Sequence, residues 1–271
     1  MSQTGSSERP PLSIAEARRL GQGSAHLDQD PTYARLFLRR ISPSVSWAIV
    51  RYTGLSADAV TASWILIGIA GGLLVAVGSV ASDLAAVALL QVSYLLDIAD
   101  GEVARIRGTS GRRGSYLDLI GHFVVNRALY AAASLSLLRA TDGAWWAIGV
   151  GFLVMAFASP FGHYARLHVG GAARAPAEHP DHGRRVAAQR PRGADPGSWA
   201  AWLYRHSAFI FHLPASMNLF CVALLADASS ALLSSDEPIA IPVLIAVFGP
   251  ALAAKQIAHA IRLLWSGAWA R

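Results

Sequence analysis

Charged side chains are scarce in this sequence of 271 residues: Asp, Glu, Lys and Arg make up 15%, and hydrophobic residues make up 54%. A soluble domain carries about a quarter charged residues, so the deficit argues against a water-soluble protein. The single cysteine, Cys221, excludes an intramolecular disulfide. Residues 1–30 lack the apolar stretch of a secretory signal, and we predict that they form a disordered cytoplasmic tail.

The charge balance is basic, with a formal net charge of +6. A basic balance can indicate binding to nucleic acid. Here the basic residues lie in short segments that flank apolar runs, a pattern that membrane orientation and anionic lipid headgroups explain better. We therefore predict contact with membrane lipids and no nucleic acid partner.

Six apolar runs approach the length of about 20 residues that a helix needs to cross a bilayer. They cover residues 57–80, 84–98, 115–138, 144–165, 207–225 and 238–264. The second is expected to continue as a helix to about residue 104. Arginines cluster before the first run, after the second, after the fourth and at the C-terminus, whereas the opposite loops are short and mostly acidic. The positive-inside rule then places both termini in the cytoplasm. The predicted fold class is an all-α integral membrane protein with six transmembrane helices, in the plasma or inner membrane.

Three further features organise the chain. Residues 31–51 interleave apolar residues with arginines and predict an N-terminal amphipathic helix in the membrane interface, interrupted at Pro43. Residues 52–271 are predicted to form the membrane domain, with a cytoplasmic loop rich in Gly, Pro, Arg and His at about residues 168–205. Within the first span, Gly68, Gly71 and Gly72 predict close helix packing.

Carboxylates stand at the end of the second span, where they are costly and mark function. Asp97, Asp100, Gly101 and Ala104 follow the spacing i, i+3, i+4, i+7, which places them on one face of a helix. The two small residues leave room on that face for a ligand to lie against the backbone. Close helix packing is the alternative explanation for them.

A second polar pair opens the third span. Asp118 and His122 are spaced i, i+4, and a short arginine-containing loop separates them from Asp97 and Asp100. Three carboxylates that converge at a membrane interface would repel one another unless a cation neutralised them. An oxygen-rich set of this kind favours Mg²⁺ or Mn²⁺.

The segment resembles the signature of the CDP-alcohol phosphatidyltransferase family, D-x2-D-G-x2-A-R-x8-G-x3-D-x3-D. The matching positions are Asp97, Asp100, Gly101, Ala104, Arg105, Gly114 and Asp118. The departure is His122, where the family has a fourth aspartate. Residues 56–61, Ser-Ala-Asp-Ala-Val-Thr, are a weaker echo of the family's T-P-N-x-V-T, with Asp58 where Asn is usual.

The resemblance implies a membrane transferase of phospholipid biosynthesis. An acceptor hydroxyl would attack the phosphorus of a CDP-alcohol, with CDP-diacylglycerol as the favoured lipid donor, and CMP would leave. The acceptor is a polar alcohol: glycerol phosphate, inositol phosphate, serine and other sugar or polyol phosphates all stay open. The family is often homodimeric, so a homodimer is also expected by resemblance.

The resemblance also assigns roles. The implied metal ligands are Asp97, Asp100, Asp118 and His122, with Mg²⁺ or Mn²⁺ as the ion. The implied substrate-binding residues are Gly101, Ala104, Arg105, Gly114 and, at the end of the fourth span, Arg166. Arg105 could instead serve membrane orientation.

The histidine leaves three interpretations open. A neutral imidazole can bind a metal, and its ordinary pKa of about 6.5 suits a general base, so His122 could do both jobs of the missing aspartate as the catalytic residue. It could also mark a changed substrate or chemistry, or an inactive relative. We favour the first, because the other seven signature positions are intact.

Two further cations lie inside predicted spans. Arg127 and Lys255 could contact phosphate or acceptor, because a charge buried in a membrane needs a partner, or they could extend to the interface. A function from another class also stays open: a non-catalytic membrane protein, for binding or transport, that kept the fold.

Overall fold

The computed structural model describes residues 12–23, 33–157, 215–233 and 239–265, and all regular structure in these ranges is helical. The helices are α1 (Ile14–Gly21), a π-helical turn (Ala34–Leu38) that leads into α2 (Arg39–Tyr52), α3 (Ala57–Leu74), α4 (Val80–Ile106), α5 (Arg112–Ala140), α6 (Trp145–Phe157), α7 (Ala215–Leu233) and α8 (Ala240–Trp265).

Four of these helices are long and apolar enough to cross a membrane: Ala57–Leu74, Val80–Ile106, Ser216–Leu233 and Ala240–Ala258. The prediction of an all-α integral membrane protein is therefore confirmed. The third predicted span lies in α5, which is long but carries charges along its length, and α6 is described over only 13 residues. The count of six spans stays a prediction.

The ends of the helices follow local chemistry. Ser79 caps α4, exchanging hydrogen bonds with Ser82, and Gly78 before it has a positive φ of 71° that a residue without Cβ adopts easily. The predicted continuation of the second span through the acidic segment is confirmed, because α4 runs unbroken to Ile106. Helix α7 ends at Leu233, beyond residue 225 where the fifth span was predicted to end.

Part of the N-terminal region is ordered, although the sequence predicts disorder there. Where residues 1–30 were expected to be disordered, Ser13 caps α1 by accepting a hydrogen bond from the Glu16 amide at 3.1 Å, and α1 packs against α2 and α4. The Trp47 indole also donates to the Leu12 carbonyl at 2.7 Å. Helix α2 continues through Pro43, where an interruption was predicted, and the π-helical turn precedes it.

Helix α3 lies between α4 and α5, and its glycines allow the close approach that the sequence predicts. A Cβ on Gly72 would come within 2.9 Å of the Leu129 amide nitrogen in α5. A Cβ on Gly71 would come within 3.1 Å of Leu90 in α4. Further along the bundle, the rings of Tyr130, Phe220 and Phe248 join α5, α7 and α8.

Replacing Gly72 by alanine should destabilise the bundle by about 1–3 kcal/mol, because a rigid backbone atom of α5 occupies the space that the new methyl group needs. The measurement is the free energy of unfolding in mixed micelles under titration with SDS. Gly149→Ala in α6 is the matched control, since a Cβ there meets nothing within 4 Å among the described residues. Equal stability of the two variants would contradict the packing seen at Gly72.

Candidate active site

The site forms where α4 ends and α5 begins. Residues 107–111 connect the two helices, and the turn is closed by a hydrogen bond from the Thr109 amide to the Ala104 carbonyl at 2.8 Å. Gly108 in this turn has a positive φ of 67°, a conformation that favours glycine. The turn is short enough that the polar face of α4 and the first turns of α5 face each other, as the sequence predicts.

Three of the predicted metal ligands come together across this junction. One ligand atom each of Asp97, Asp118 and His122 lies within 4.8 Å of the other two. The His122 Nε2 atom is 3.8 Å from Asp97 Oδ1 and 3.6 Å from Asp118 Oδ1. Asp97 is the most enclosed side chain, at 14% exposure, and Asp118 the most open, at 44%. Two carboxylates and an imidazole at this separation form a donor set that could hold a divalent cation.

The fourth predicted ligand, Asp100, lies beside this group and is held by α3. Its Oδ2 atom accepts hydrogen bonds from the Thr61 hydroxyl and the Trp64 indole, each at 2.7 Å. The Trp64 ring is buried and also lies against the His122 ring, with 5.2 Å between the centroids. Thr61 ends the segment that echoes the family motif before the first span. Trp64 was not singled out in the sequence, and a tryptophan in an apolar run offers no signal of such a role.

Trp64→Phe should weaken the affinity for Mn²⁺ by about 10–100-fold, the usual effect of losing a residue that orients a metal ligand. The change removes one of the two side-chain donors to Asp100 and keeps an aromatic ring beside His122. Binding is measured by the electron paramagnetic resonance signal of free Mn²⁺. Trp47→Phe removes an indole donor away from the cavity and should leave the affinity unchanged. If both variants bound Mn²⁺ as the wild type does, Trp64 would not support the site.

A cavity of about 370 Å³ opens over these residues. Among the signature residues, its lining includes Asp97, Asp100, Gly101, Ala104, Arg105, Gly114, Asp118 and His122. A Cβ on Gly114 would meet nothing within 4 Å among the described residues. A Cβ on Gly101 would lie 3.3 Å from the guanidinium of Arg105, which therefore covers the space that this glycine leaves.

Two of the remaining predicted substrate-binding residues, Arg127 and Lys255, do not line the cavity. Arg127 donates to the Met155 carbonyl of α6 and lies 4.6 Å from the centroid of the Phe123 ring. Lys255 lies on α8 and is likewise outside the lining. Arg166 lies outside the described residues. The interior position of Arg127 thus has a structural explanation in the packing of α5 on α6.

A buried carboxylate, which the sequence pattern did not single out, lies on the opposite side of α4. Glu102 is 0% exposed. Its Oε1 accepts hydrogen bonds from Ser42 at 2.6 Å, Gln22 at 3.0 Å and Arg39 at 3.2 Å, and its Oε2 accepts one from Ser46 at 2.7 Å. The available signals were an acidic residue within a span and two serines spaced i, i+4 on an amphipathic helix.

The comparison with known families is consistent with this geometry. Residues 55–176 match the family model described as CDP-alcohol phosphatidyltransferase, a stretch that contains α3, α4, α5, α6 and the whole cavity-forming junction. A search of curated proteins finds no match to this chain. The converging Asp97, Asp118 and His122 lie within the matched stretch, and residues 55–176 are thus identified by this match as a CDP-alcohol phosphatidyltransferase domain.

Proposed function

We propose that the protein transfers a substituted phosphate group, with phosphatidyl as the favoured group, from a CDP-alcohol to a polar alcohol with release of CMP. CDP-alcohol phosphotransferase activity in general follows from the family domain. The observation that carries the proposal is the convergence of Asp97, Asp118 and His122 in one cavity beside Asp100. A cation would relieve the repulsion between carboxylates placed this close together, and Mg²⁺ is commonly bound by protein carboxylates together with substrate phosphates.

The residues present fit a divalent ion. Asp97, Asp100 and Asp118 would hold it through carboxylate oxygens, which favour Mg²⁺ or Mn²⁺. His122 Nε2 would join them only in a state in which it is not acting as the base, because one lone pair cannot bind a metal and accept a proton at once. One oxygen of Asp100 already accepts two hydrogen bonds, and these bonds orient the carboxylate before a metal binds. When bound, the metal would neutralise charge on the diphosphate and on the leaving CMP.

We assign the remaining steps of the reaction to individual side chains. The acceptor oxygen forms a bond to the donor phosphorus that bears the alcohol, the bond from that phosphorus to the CMP oxygen breaks, and the acceptor proton passes to a base. We assign the base to His122, whose Nε2 atom faces the two carboxylates. Its Nδ1 atom is buried without a hydrogen-bond partner among the described residues, so Nε2 is the nitrogen available in this arrangement. Ala104 and Gly114 would leave space for the cytidine, whereas the space left by Gly101 holds the Arg105 guanidinium, which would meet a phosphate.

The membrane topology and the assembly are also part of the proposal. Residues 31–51 would lie in the membrane interface, and residues 52–271 would form a six-span catalytic domain with both termini and the loop at about 168–205 in the cytoplasm. A lipid donor such as CDP-diacylglycerol could then reach the cavity sideways from the plasma or inner membrane, in a pathway of phospholipid synthesis. The assembly would be a homodimer.

The test is metal-dependent release of CMP by the purified protein in micelles containing CDP-diacylglycerol. Glycerol phosphate, inositol phosphate, serine and other polyol phosphates are supplied in turn, with Mg²⁺, with Mn²⁺ or with a chelator. We expect release with at least one acceptor and none with the chelator. No release from CDP-diacylglycerol with any of these acceptors, together with no metal binding, would favour the non-catalytic binding or transport protein instead.

A further inference from the structure

The end of α4 presents carboxylates on two opposite sides. Asp97 and Asp100 face the cavity, whereas Glu102 faces α1 and α2, since two residues advance a helix by more than half a turn. Glu102 has two hydroxyl donors, one amide donor and one guanidinium donor, so both of its oxygens are hydrogen-bonded and its charge is paired with Arg39.

All four donors come from outside the family domain. Gln22 follows α1, and Arg39, Ser42 and Ser46 belong to α2, whereas the matched domain begins at residue 55. The contact is close: a Cβ on Gly21 would lie 3.1 Å from the Cβ of Glu102. Glu102 therefore links four side chains of the N-terminal segment to the signature helix.

The same contact reaches the cavity through two arginines. Arg39 binds Glu102 at 3.2 Å and also lines the cavity. Arg105 lines the cavity as well, covers Gly101, and donates from Nε to the carbonyl of Gly21. Both guanidinium groups thus stand at the cavity wall in positions set by the contact between α1, α2 and α4.

We propose that Glu102 is a positioning residue: by binding α1 and α2 to the back of α4, it places Arg39 and Arg105 to receive the diphosphate of the CDP-alcohol. The proposal rests on the proposed function. Guanidinium groups suit a diphosphate because their planar donors match phosphate oxygens, and their contribution depends on being held in place. The N-terminal segment is then a functional part of the catalytic unit, although it lies outside the matched domain.

The experiment uses the full-length protein in micelles and compares Glu102→Gln with the wild type. The amide keeps the shape of the side chain but places an N–H where a donor now points. We expect the dissociation constant for CDP-diacylglycerol, in the presence of Mn²⁺, to rise about tenfold or more. The affinity for Mn²⁺ alone should stay within about twofold, because the metal-binding side chains are unchanged. Trypsin should cleave at Arg18 and Arg19 faster than in the wild type, because α1 separates from α4. The cleavage is monitored as the loss of an N-terminal tag.

Asp227→Asn is the matched control. Asp227 is a buried carboxylate that accepts hydrogen bonds from the amides of Ala240 and Ile241 at 2.6 and 2.9 Å, and it does not line the cavity. We expect a lower unfolding temperature with unchanged binding of CDP-diacylglycerol. If Glu102→Gln does not fold, Ser46→Ala removes a single donor and should give a smaller effect of the same kind.

The outcomes are distinct. Weaker donor binding with intact Mn²⁺ binding supports the positioning role. Unchanged donor binding in Glu102→Gln, or in Ser46→Ala where the former does not fold, means that the network only stabilises the fold and overturns the proposal. A wild-type protein that binds no CDP-diacylglycerol refutes the proposed function with this donor, and the positioning role falls with it.

Discussion

Replacement of Asp97 or Asp118 by asparagine is expected to lower the rate of CMP release by about 10³-fold, and Mn²⁺ binding should be lost with it. A metal that stabilises charge in the transition state contributes several kcal/mol, and each 1.36 kcal/mol corresponds to a factor of ten in rate. Each change removes one negative charge from a group whose ligand atoms lie within 4.8 Å of one another. The amide keeps the volume of the side chain, so the loss reports on charge and not on packing.

Asp100→Asn should give the same losses by a partly different route. Its carboxylate accepts two hydrogen bonds from α3 through one oxygen, so the amide can rotate only at the expense of those bonds. Rates are measured as CMP release at saturating metal, and Mn²⁺ binding is measured separately. Asp142→Asn, in the turn after α5, is the control: it has a positive φ of 48°, which asparagine tolerates, and it should behave as the wild type. Normal rates in the three site variants would refute the site assignment.

The parts of the site that lie on one helix could be predicted from the sequence. The spacing of Asp97 and Asp100 fixes a common face once α4 is known to be helical, and the short connection to α5 limits how far Asp118 and His122 can lie from that face. These are local constraints of helix geometry and chain length. The apolar runs likewise predicted α4 and α8 to within a few residues.

The contacts that hold the site in place could not be predicted in the same way. Trp64 donates to Asp100 from 36 positions earlier, and Ser42 donates to Glu102 from 60 positions earlier. Such pairs depend on how α2 and α3 rotate about their axes when they pack on α4, which no single-helix pattern specifies. The order of α1 has the same origin: this short helix is stabilised by docking and not by its own propensity.

His122 is the position at which the chain departs from the family signature, and its substitution is the most informative. His122→Asp should keep the rate of CMP release within about tenfold of the wild type, because a carboxylate can act as metal ligand and as base. The added negative charge should tighten Mn²⁺ binding. His122→Asn and His122→Ala should lower the rate by about 10²-fold or more, since neither side chain can take the proton from the acceptor hydroxyl.

The pH dependence of the rate separates a base from a ligand. With imidazole as the base, the rate decreases at pH values below the pKa of His122, where the ring already holds a proton and Nε2 cannot accept another. In His122→Asp this decrease should shift to the lower pH range in which a carboxylate is protonated. A near-normal rate in His122→Ala would show that the imidazole does neither job. Loss of turnover in His122→Asp with retained Mn²⁺ binding would show that the reaction of this protein requires the imidazole itself, because its Nε2 would then be doing what a carboxylate beside Asp97 and Asp118 cannot.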